Sequence, residues 1–327
     1  MRLTWAAGLA LLTAVALSGC GSDPADDAAV VPAAQSLSIE GDEFEVMLPS
    51  GQFAFTVTEP RDELSGGDAA DGESREAPDG QHYVGLGWDW EGMAGRAYSL
   101  LNHDATPQVA SVSLVTGDRE VRVFELDTQD SRPAGRTWVL VDHDADPRLR
   151  VTYDGHTQTV DLESGDVDAG VAEAFYDIAT YDVDCPDQGP GARRDGLQYR
   201  IGCTVGEVVA VPYVADLGWA DEGDTWLLVQ VELRVGEVRF TAGSEQAGYR
   251  VDREDGSVTV GDADAVELWQ AEGRTDGFGA TYAVPVPVDG PWQLEITRSY
   301  ELTRTGTAPG APATEHVSYD STMTLGS

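Results

Sequence analysis

The chain has 327 residues, of which 58 are acidic and 20 are basic, giving a formal net charge of −38 at pH 7. Phosphate backbones repel such a protein, so the charge excludes nucleic-acid binding. A chain of this length exceeds what one hydrophobic core usually serves, and we therefore expect two domains.

The N-terminus has the pattern of an export signal. Arg2 precedes an apolar run over residues 3–17 that only two threonines interrupt. The run is too short for a transmembrane helix, which needs about 20 apolar residues. It therefore indicates the hydrophobic region of a signal peptide.

The apolar run ends at a cysteine preceded by small residues, Leu17-Ser18-Gly19-Cys20. This ending resembles the bacterial lipobox. The resemblance implies that residues 1–19 are a lipoprotein signal peptide and that Cys20 becomes the lipid-modified N-terminus. The alternative is an ordinary secretory signal cut near a chance cysteine. Because two or three acyl chains hold a protein stably at a bilayer, we expect a protein anchored to the outer face of the cell membrane.

Residues 20–36 contain mostly Ala, Asp, Pro, Ser and Val, with little apolar surface to bury. The composition predicts a disordered tether between the lipid and the folded part of the protein.

From residue 37 onward, apolar side chains alternate with a period of two, which indicates half-buried strands. Residues 37–163 are the first predicted β-sandwich domain. Further strands are expected at 109–115, 120–126 and 136–142. Residues 60–81 are acidic and rich in Gly and Pro, and we expect a mobile loop with nothing to pack. The clearest apolar strand faces are Phe44, Val46 and Leu48, and Val84, Leu86, Trp88 and Trp90.

Asp154-Gly155 lies between two β-rich runs and predicts a two-residue type I′ hairpin. The register of this hairpin pairs Leu149 with Val160, Thr152 with Thr157, and Arg148 with Asp161. Each is a favourable cross-strand pair.

A change of composition marks residues 164–197 as a linker, with a short helix expected over 169–178. With Cys20 assigned to the lipid, Cys185 and Cys203 remain as a pair in an oxidising compartment, where a disulfide is expected. The alternative is two unpaired thiols. A bridge would connect the end of the linker to the first strand of the second domain.

Residues 198–327, the second predicted sandwich, repeat the pattern of the first. Tyr83 and Trp226 are 143 positions apart, and the same offset superposes four inward positions of the two strands. Leu149 and Leu294 are 145 apart. This indicates an internal duplication; the alternative is chance agreement between two unrelated β domains.

The strand spacing predicts an all-β fold with two antiparallel immunoglobulin-like β-sandwich domains. The lipobox, the tether and the strand pattern together resemble the two-domain lipoproteins with telokin-like immunoglobulin folds of high-GC Gram-positive bacteria. The resemblance covers nearly the whole mature chain. It includes no diagnostic site motif, so it transfers no functional residue beyond Cys20.

One acidic cluster is a weak candidate for a metal site. Asp142, Asp144 and Asp146 offer hard oxygen ligands to calcium, but Pro147 stands where the EF-hand pattern requires glycine. Tyr153 stands where that pattern requires glutamate. A solvated acidic loop is the alternative, and the same applies to residues 252–255. We expect no metal and no cofactor.

No catalytic motif occurs in the chain, and we expect no enzyme. The sequence favours a lipid-anchored, non-catalytic binding or interaction module of the cell envelope. Its expected partners are the membrane, through the lipid on Cys20, and an envelope protein, with Trp219 either an exposed anchor for that partner or part of a core. A calcium- or cation-dependent adhesion module and an enzyme with an unrecognised site are the alternatives.

Overall fold

The computed structural model describes residues 29–92, 109–127, 134–188, 196–236, 238–242, 245–271, 277–306 and 310–326. Across these residues the protein is all-β, and one short 3₁₀ helix accompanies the strands. The strands pair in antiparallel fashion throughout the described sheets. None of the described helical segments has the length and apolar character needed to cross a bilayer.

The strands of the first part of the chain are β1 (Val30–Pro32), β2 (Asp42–Leu48), β3 (Gly51–Val57), β4 (Glu63–Leu64), β5 (Arg75–Glu76), β6 (Gln81–Gly92), β7 (Val109–Thr116), β8 (Arg119–Asp127), β9 (Gly135–Asp142), β10 (Arg148–Tyr153), β11 (His156–Asp161) and β12 (Val167–Asp168). The 3₁₀ helix, Gly170–Phe175, comes directly after β12.

The remaining strands are β13 (Thr180–Tyr181), β14 (Leu197–Gln198), β15 (Ile201–Val205), β16 (Val208–Val211), β17 (Tyr213–Val214), β18 (Gly218–Trp219), β19 (Asp224–Val235), β20 (Arg239–Ala242), β21 (Glu245–Val260), β22 (Ala263–Asp264), β23 (Val266–Gln270), β24 (Gly277–Pro287), β25 (Trp292–Thr305) and β26 (Thr314–Leu325).

The first sandwich consists of two five-stranded sheets with the orders β1-β9-β6-β3-β2 and β12-β11-β10-β7-β8. Their inward side chains share one hydrophobic cluster, in which Phe53 from one sheet and Val151 from the other are completely buried. The predicted apolar faces of β2 and β6 point into this cluster. Alternation of apolar and polar residues therefore identified the inward faces correctly.

The second sandwich pairs the sheet β13-β16-β19-β24-β23 with the sheet β14-β20-β21-β25-β26. Strand β15 also pairs with β19, and β22 pairs with β21. A second hydrophobic cluster lies between the two sheets and includes Leu227 and Ile296, both completely buried.

The predicted hairpin is confirmed, together with its register. Leu149 pairs with Val160, Thr152 with Thr157, and Arg148 with Asp161. Asp154 and Gly155 have positive φ angles of 44° and 78°, as a type I′ turn requires.

Val112 and Val258 are 146 positions apart, Val151 and Ile296 are 145 apart, and each pair occupies matching places in the two sandwiches. Val112 pairs with Val151 between β7 and β10, and Val258 pairs with Ile296 between β21 and β25. The two sandwiches differ in the path that the chain takes after these strands. After β7 the chain stays in the same sheet as β8, whereas after β21 and β22 it continues as β23 in the opposite sheet.

Two segments expected to be unstructured are packed onto the first sandwich. The loop at 60–81 was wrongly predicted to have nothing to pack: it forms β4 and β5, and Leu64 is buried in a small cluster with Trp138. Within the predicted tether, residues 30–32 form β1 and pair with β9. The physical reason is that Leu64 and Val31 cover apolar side chains on the outer face of the sheet that contains β9.

The hydrophobic cluster of the first sandwich continues into the second part of the chain. It includes Val209, Val211, Tyr213, Val214, Leu228 and Ala283. The described part of the predicted linker is packed as well, since Ala172 and Phe175 of the 3₁₀ helix are buried in the same cluster. The expected helix over 169–178 is therefore present as a shorter 3₁₀ helix.

Candidate functional site

A cleft of about 750 Å³ lies where the 3₁₀ helix meets the second sandwich. The helix and the residues after it line one side, and the turn at 222–225 together with Val288 lines the other. Concave surfaces of this size are the usual ligand sites of proteins. The cleft is therefore the first place to look for a binding function.

The 3₁₀ helix is held in place by the residue directly after it. Tyr176 Oη donates a hydrogen bond to Gln158 Oε1 at 2.9 Å and accepts one from the backbone N–H of Met47 at 3.2 Å. Gln158 Nε2 in turn donates to Met47 O at 2.6 Å. These bonds join the helix to β2 and β11, so this side of the cleft has a fixed position.

The lining of the cleft combines apolar and acidic side chains. Val171 and Val288 supply apolar surface, and Val288 is 58% exposed. The carboxylates are those of Glu173, Asp177, Glu222 and Asp224. The described residues that line the cleft include no arginine, so its potential is negative.

His156 is the one lining residue with an imidazole ring. Its Nε2 lies 2.8 Å from the carbonyl oxygen of Ala169. Gly170 passes over the same ring with a φ of 54°, and a Cβ atom there would lie 2.9 Å from the ring. Glycine is therefore required where the chain enters the cleft wall.

Beneath the cleft, aromatic rings from both parts of the chain surround Trp219. Its ring centroid lies 4.7 Å from His156, 5.0 Å from Tyr213 and 6.0 Å from Phe175. Its Nε1 donates to the carbonyl oxygen of Tyr153 at 3.2 Å. Of the two alternatives for Trp219, the structure supports packing in a core.

Tyr213 connects the two sandwiches by a polar contact within this aromatic group. Its Oη donates to Asp154 Oδ2 at 2.9 Å, and the side chain is 1% exposed. Burial raises the pKa of Tyr213, and the nearby Tyr153 and Asp154 raise it further. The phenol is therefore held in its neutral, donating form.

The sequence-predicted site residues lie apart from the cleft or outside the described residues. Cys20 lies outside the described residues. Cys185 and Cys203 lie at disulfide-bonding distance, with Cα atoms 5.5 Å apart. Tyr319 Oη lies 3.1 Å from Cys185 Sγ and donates to Pro186 O at 2.9 Å, so the cysteine pair is fixed against β26.

The structure does not gather the three aspartates of the weak metal candidate. Asp142 Oδ1 accepts a hydrogen bond from Gln81 Nε2 at 2.9 Å, and the Asp142 backbone N–H donates to Thr116 Oγ1. Within the described ranges, no three His, Cys, Asp or Glu side chains form a group that could hold a metal ion, so Asp144 and Asp146 have no such group around them.

A second polar group, inside the second sandwich, was missed by sequence reasoning. Arg298 is 7% exposed, its guanidinium carbon lies 3.5 Å from the ring centroid of Phe278, and its Nη2 donates to Tyr282 Oη at 2.5 Å. The sequence does carry a signal for it. On β25 the inward positions are Leu294, Ile296, Arg298, Tyr300 and Leu302, and arginine is the only charged residue among them.

Comparison with known proteins gives no functional relative. No protein family and no curated protein matches the chain. A solved structure described as the conserved domain protein from Bacillus anthracis aligns over 85% of this chain and 90% of that chain, at 11% identity and a TM-score of 0.21. A likeness at this TM-score carries no argument about fold or function, so both are argued from the chain itself.

Proposed function

We propose that the protein is a non-catalytic binding module of the cell envelope, anchored to the outer face of the membrane by lipid on Cys20. Its ligand binds in the cleft between the 3₁₀ helix and the turn at 222–225. The observation that carries the proposal is the cleft, because it combines a fixed wall, exposed apolar surface and a set of carboxylates.

The lining of the cleft defines the class of ligand. Val288, which is exposed, and Val171, which is partly buried, favour an apolar group. The carboxylates of Glu173, Asp177, Glu222 and Asp224 favour a cationic group. A segment of an envelope protein that carries Lys or Arg beside apolar side chains has both properties. Charge complementarity of this kind accelerates association and rejects acidic partners.

The net charge supports the role of the lipid in this proposal. A protein with a charge of −38 gains no attraction from an anionic membrane surface. Covalent lipid is the means by which such a chain remains at the membrane. The segment that begins at Cys20 reaches the first sandwich at Ala29, which is buried in its core.

The test is crosslinking on the cell surface followed by mass spectrometry, with the anchored protein and three variants. Cys20→Ala removes the anchor. Val288→Arg places a cation in the cleft, and Val109→Arg is its matched control, because Val109 is 52% exposed and does not line the cleft.

We expect a reproducible partner that is crosslinked to the original chain and to Val109→Arg. The same partner is expected to be lost with Val288→Arg and with Cys20→Ala. Equal crosslinking of both arginine variants would refute the cleft as the site. Equal crosslinking of Cys20→Ala, with the same amount of protein at the surface, would refute the anchor.

A further inference from the structure

The inside of the second sandwich holds a buried polar group that the proposed function does not use. Arg298 and Tyr300 project inward from β25, and Glu254 lies directly opposite Tyr300 on β21. Tyr282 faces them from β24 in the opposite sheet and accepts the hydrogen bond from Arg298. Charged and hydroxyl groups from three strands therefore meet in an otherwise apolar core.

The sequence makes room for Arg298 at the facing position. Gly256 lies opposite Arg298 in the register of β21 and β25. A Cβ atom at Gly256 would lie 2.7 Å from Arg298 Cδ. In the first sandwich the matching positions are Ala110 and Tyr153, which also pair a small residue with a large one. The second sandwich thus makes room for Arg298 in the same way as the first sandwich makes room for Tyr153, with a small residue on the neighbouring strand.

Three polar atoms of this group have no hydrogen-bond partner among the described protein atoms. They are Arg298 Nε, Tyr300 Oη and Glu254 Oε2, and each is shielded from solvent. A buried polar atom without a partner loses its hydration and gains nothing in return, so such atoms are rare in folded proteins. Three of them around one buried guanidinium indicate a bound molecule that supplies the missing hydrogen bonds.

We propose that Arg298, Tyr300 and Glu254 form an internal binding site for water, which bridges the guanidinium to the carboxylate. Arg298 Nε only donates, Glu254 Oε2 accepts when it is ionised, and Tyr300 Oη does either. A ligand that serves all three must both accept and donate hydrogen bonds. Water does so, and a buried water molecule typically makes about three hydrogen bonds.

The charges around the site disfavour an ion in place of water. Glu254 repels an anion and Arg298 repels a cation. Glu267 on the edge strand β23 is close enough to influence both Glu254 and Tyr282, and it adds to the repulsion of an anion. A neutral molecule that both donates and accepts hydrogen bonds, as water does, is compatible with both charged groups.

Tyr300→Phe tests the proposal by the sign of its effect. If water bridges Tyr300 to its neighbours, losing the hydroxyl removes a hydrogen bond and lowers the melting temperature by about 2–4 °C. If the hydroxyl has no partner at all, its removal relieves a desolvation cost and leaves the melting temperature unchanged or raised. Tyr319→Phe is the matched control, because it removes the observed bond to Pro186 O.

A direct observation accompanies the variant. In the full chain labelled with nitrogen-15, we expect magnetisation transfer between water and the Nε proton of Arg298, and we expect this signal to weaken in Tyr300→Phe. A melting temperature of Tyr300→Phe at or above that of the original chain would overturn the proposal. An absent water signal at Arg298 would overturn it as well.

Discussion

Tyr213 Oη lies 2.9 Å from Asp154 Oδ2 and donates to it, so a side chain of the second part of the chain is bonded to the turn of a hairpin in the first. Each residue is also held by contacts other than this hydrogen bond. Asp154 has the positive φ of the type I′ turn, and Tyr213 is buried against Tyr153 and Trp219. The relative position of the two sandwiches therefore depends on a turn that the sequence specifies.

Tyr213→Phe is expected to lower the free energy of unfolding by about 0.5–1.5 kcal/mol, because it removes one hydrogen bond to the carboxylate of Asp154, which solvent can still reach. Thermal and urea unfolding measure the change. Asp154→Asn is a milder variant, since asparagine tolerates the turn conformation and keeps an accepting oxygen. Equal stability of Tyr213→Phe and the original chain would contradict a structural role for the bond.

Alkaline titration is expected to separate the buried tyrosines from the exposed ones. Burial raises the pKa of Tyr282 to about 12 and raises that of Tyr213 above its ordinary value near 10. The contribution of these tyrosines to the free energy of unfolding is fully present below pH 10, the pKa of tyrosine in the unfolded chain. It is lost as the pH rises through their higher pKa values in the folded protein. Phenolate absorbance measures this, and a single transition near pH 10 in the folded protein would contradict it.

Glu254→Gln is expected to raise the melting temperature at pH 7. Burial raises the pKa of Glu254 above its ordinary value of 4.5; Arg298 opposes this shift and Glu267 adds to it. The ionised carboxylate therefore weakens the fold at neutral pH, and this cost disappears as the pH falls below 4.5.

Melting curves recorded from pH 3.5 to pH 8 check this expectation, because a carboxylate changes its charge within this range. Intervals of about half a pH unit are sufficient. The advantage of Glu254→Gln is expected to vanish at the acidic end. Glu295→Gln, on the exposed face of β25, is the control and is expected to change little. An advantage that persists unchanged at low pH would contradict the assignment to the charge of Glu254.

Gly256→Ala is expected to destabilise the protein by about 1–3 kcal/mol, because an added methyl group has no room beside β25 and neighbouring atoms must shift. The added Cβ would lie 2.0 Å from the carbonyl oxygen of Thr297 and 2.7 Å from Arg298 Cδ. Gly92→Ala is the matched control, because a Cβ there meets no atom within 4 Å. Equal unfolding midpoints in urea for the two variants would show that the space at Gly256 is not needed.

Reduction of the Cys185–Cys203 pair is expected to lower the free energy of unfolding by about 3 kcal/mol in the chain-entropy view, given a sequence separation of 18. Unfolding with and without reductant measures the loss, and alkylation counts the free thiols. Two alkylatable thiols in the native, unreduced protein would contradict the bond.

Short sequence patterns correctly predicted the structural features that depend only on neighbouring residues. Alternation located the inward faces of β2 and β6, and Asp154-Gly155 defined the hairpin with its register. Such features arise from the two-residue period of a strand and from the few residues that tolerate positive φ. The cysteine pair was found by elimination, because the proposal that Cys20 carries the lipid leaves two of the three cysteines.

Features that depend on distant contacts were not predicted. Leu64 lies in an acidic segment that looks unstructured by composition, and only its contact with the outer face of β9 explains its burial. The cleft draws on residues from 156 to 288, so no single window of sequence contains it. Arg298 differs from these features, because it could have been predicted: it is a charged residue on the apolar face of β25, and the alternating pattern of that strand shows this.

The core of the first sandwich is completed by residues that lie late in the chain, among them Leu228 and Ala283. A ribosome delivers the N-terminal part first, so β1 to β12 exist for some time without these side chains. During that interval the apolar surface that Tyr213 and Leu228 later cover is open to water or to other chains. A truncated first sandwich, which lacks these covering residues, is therefore expected to aggregate when it is produced by itself.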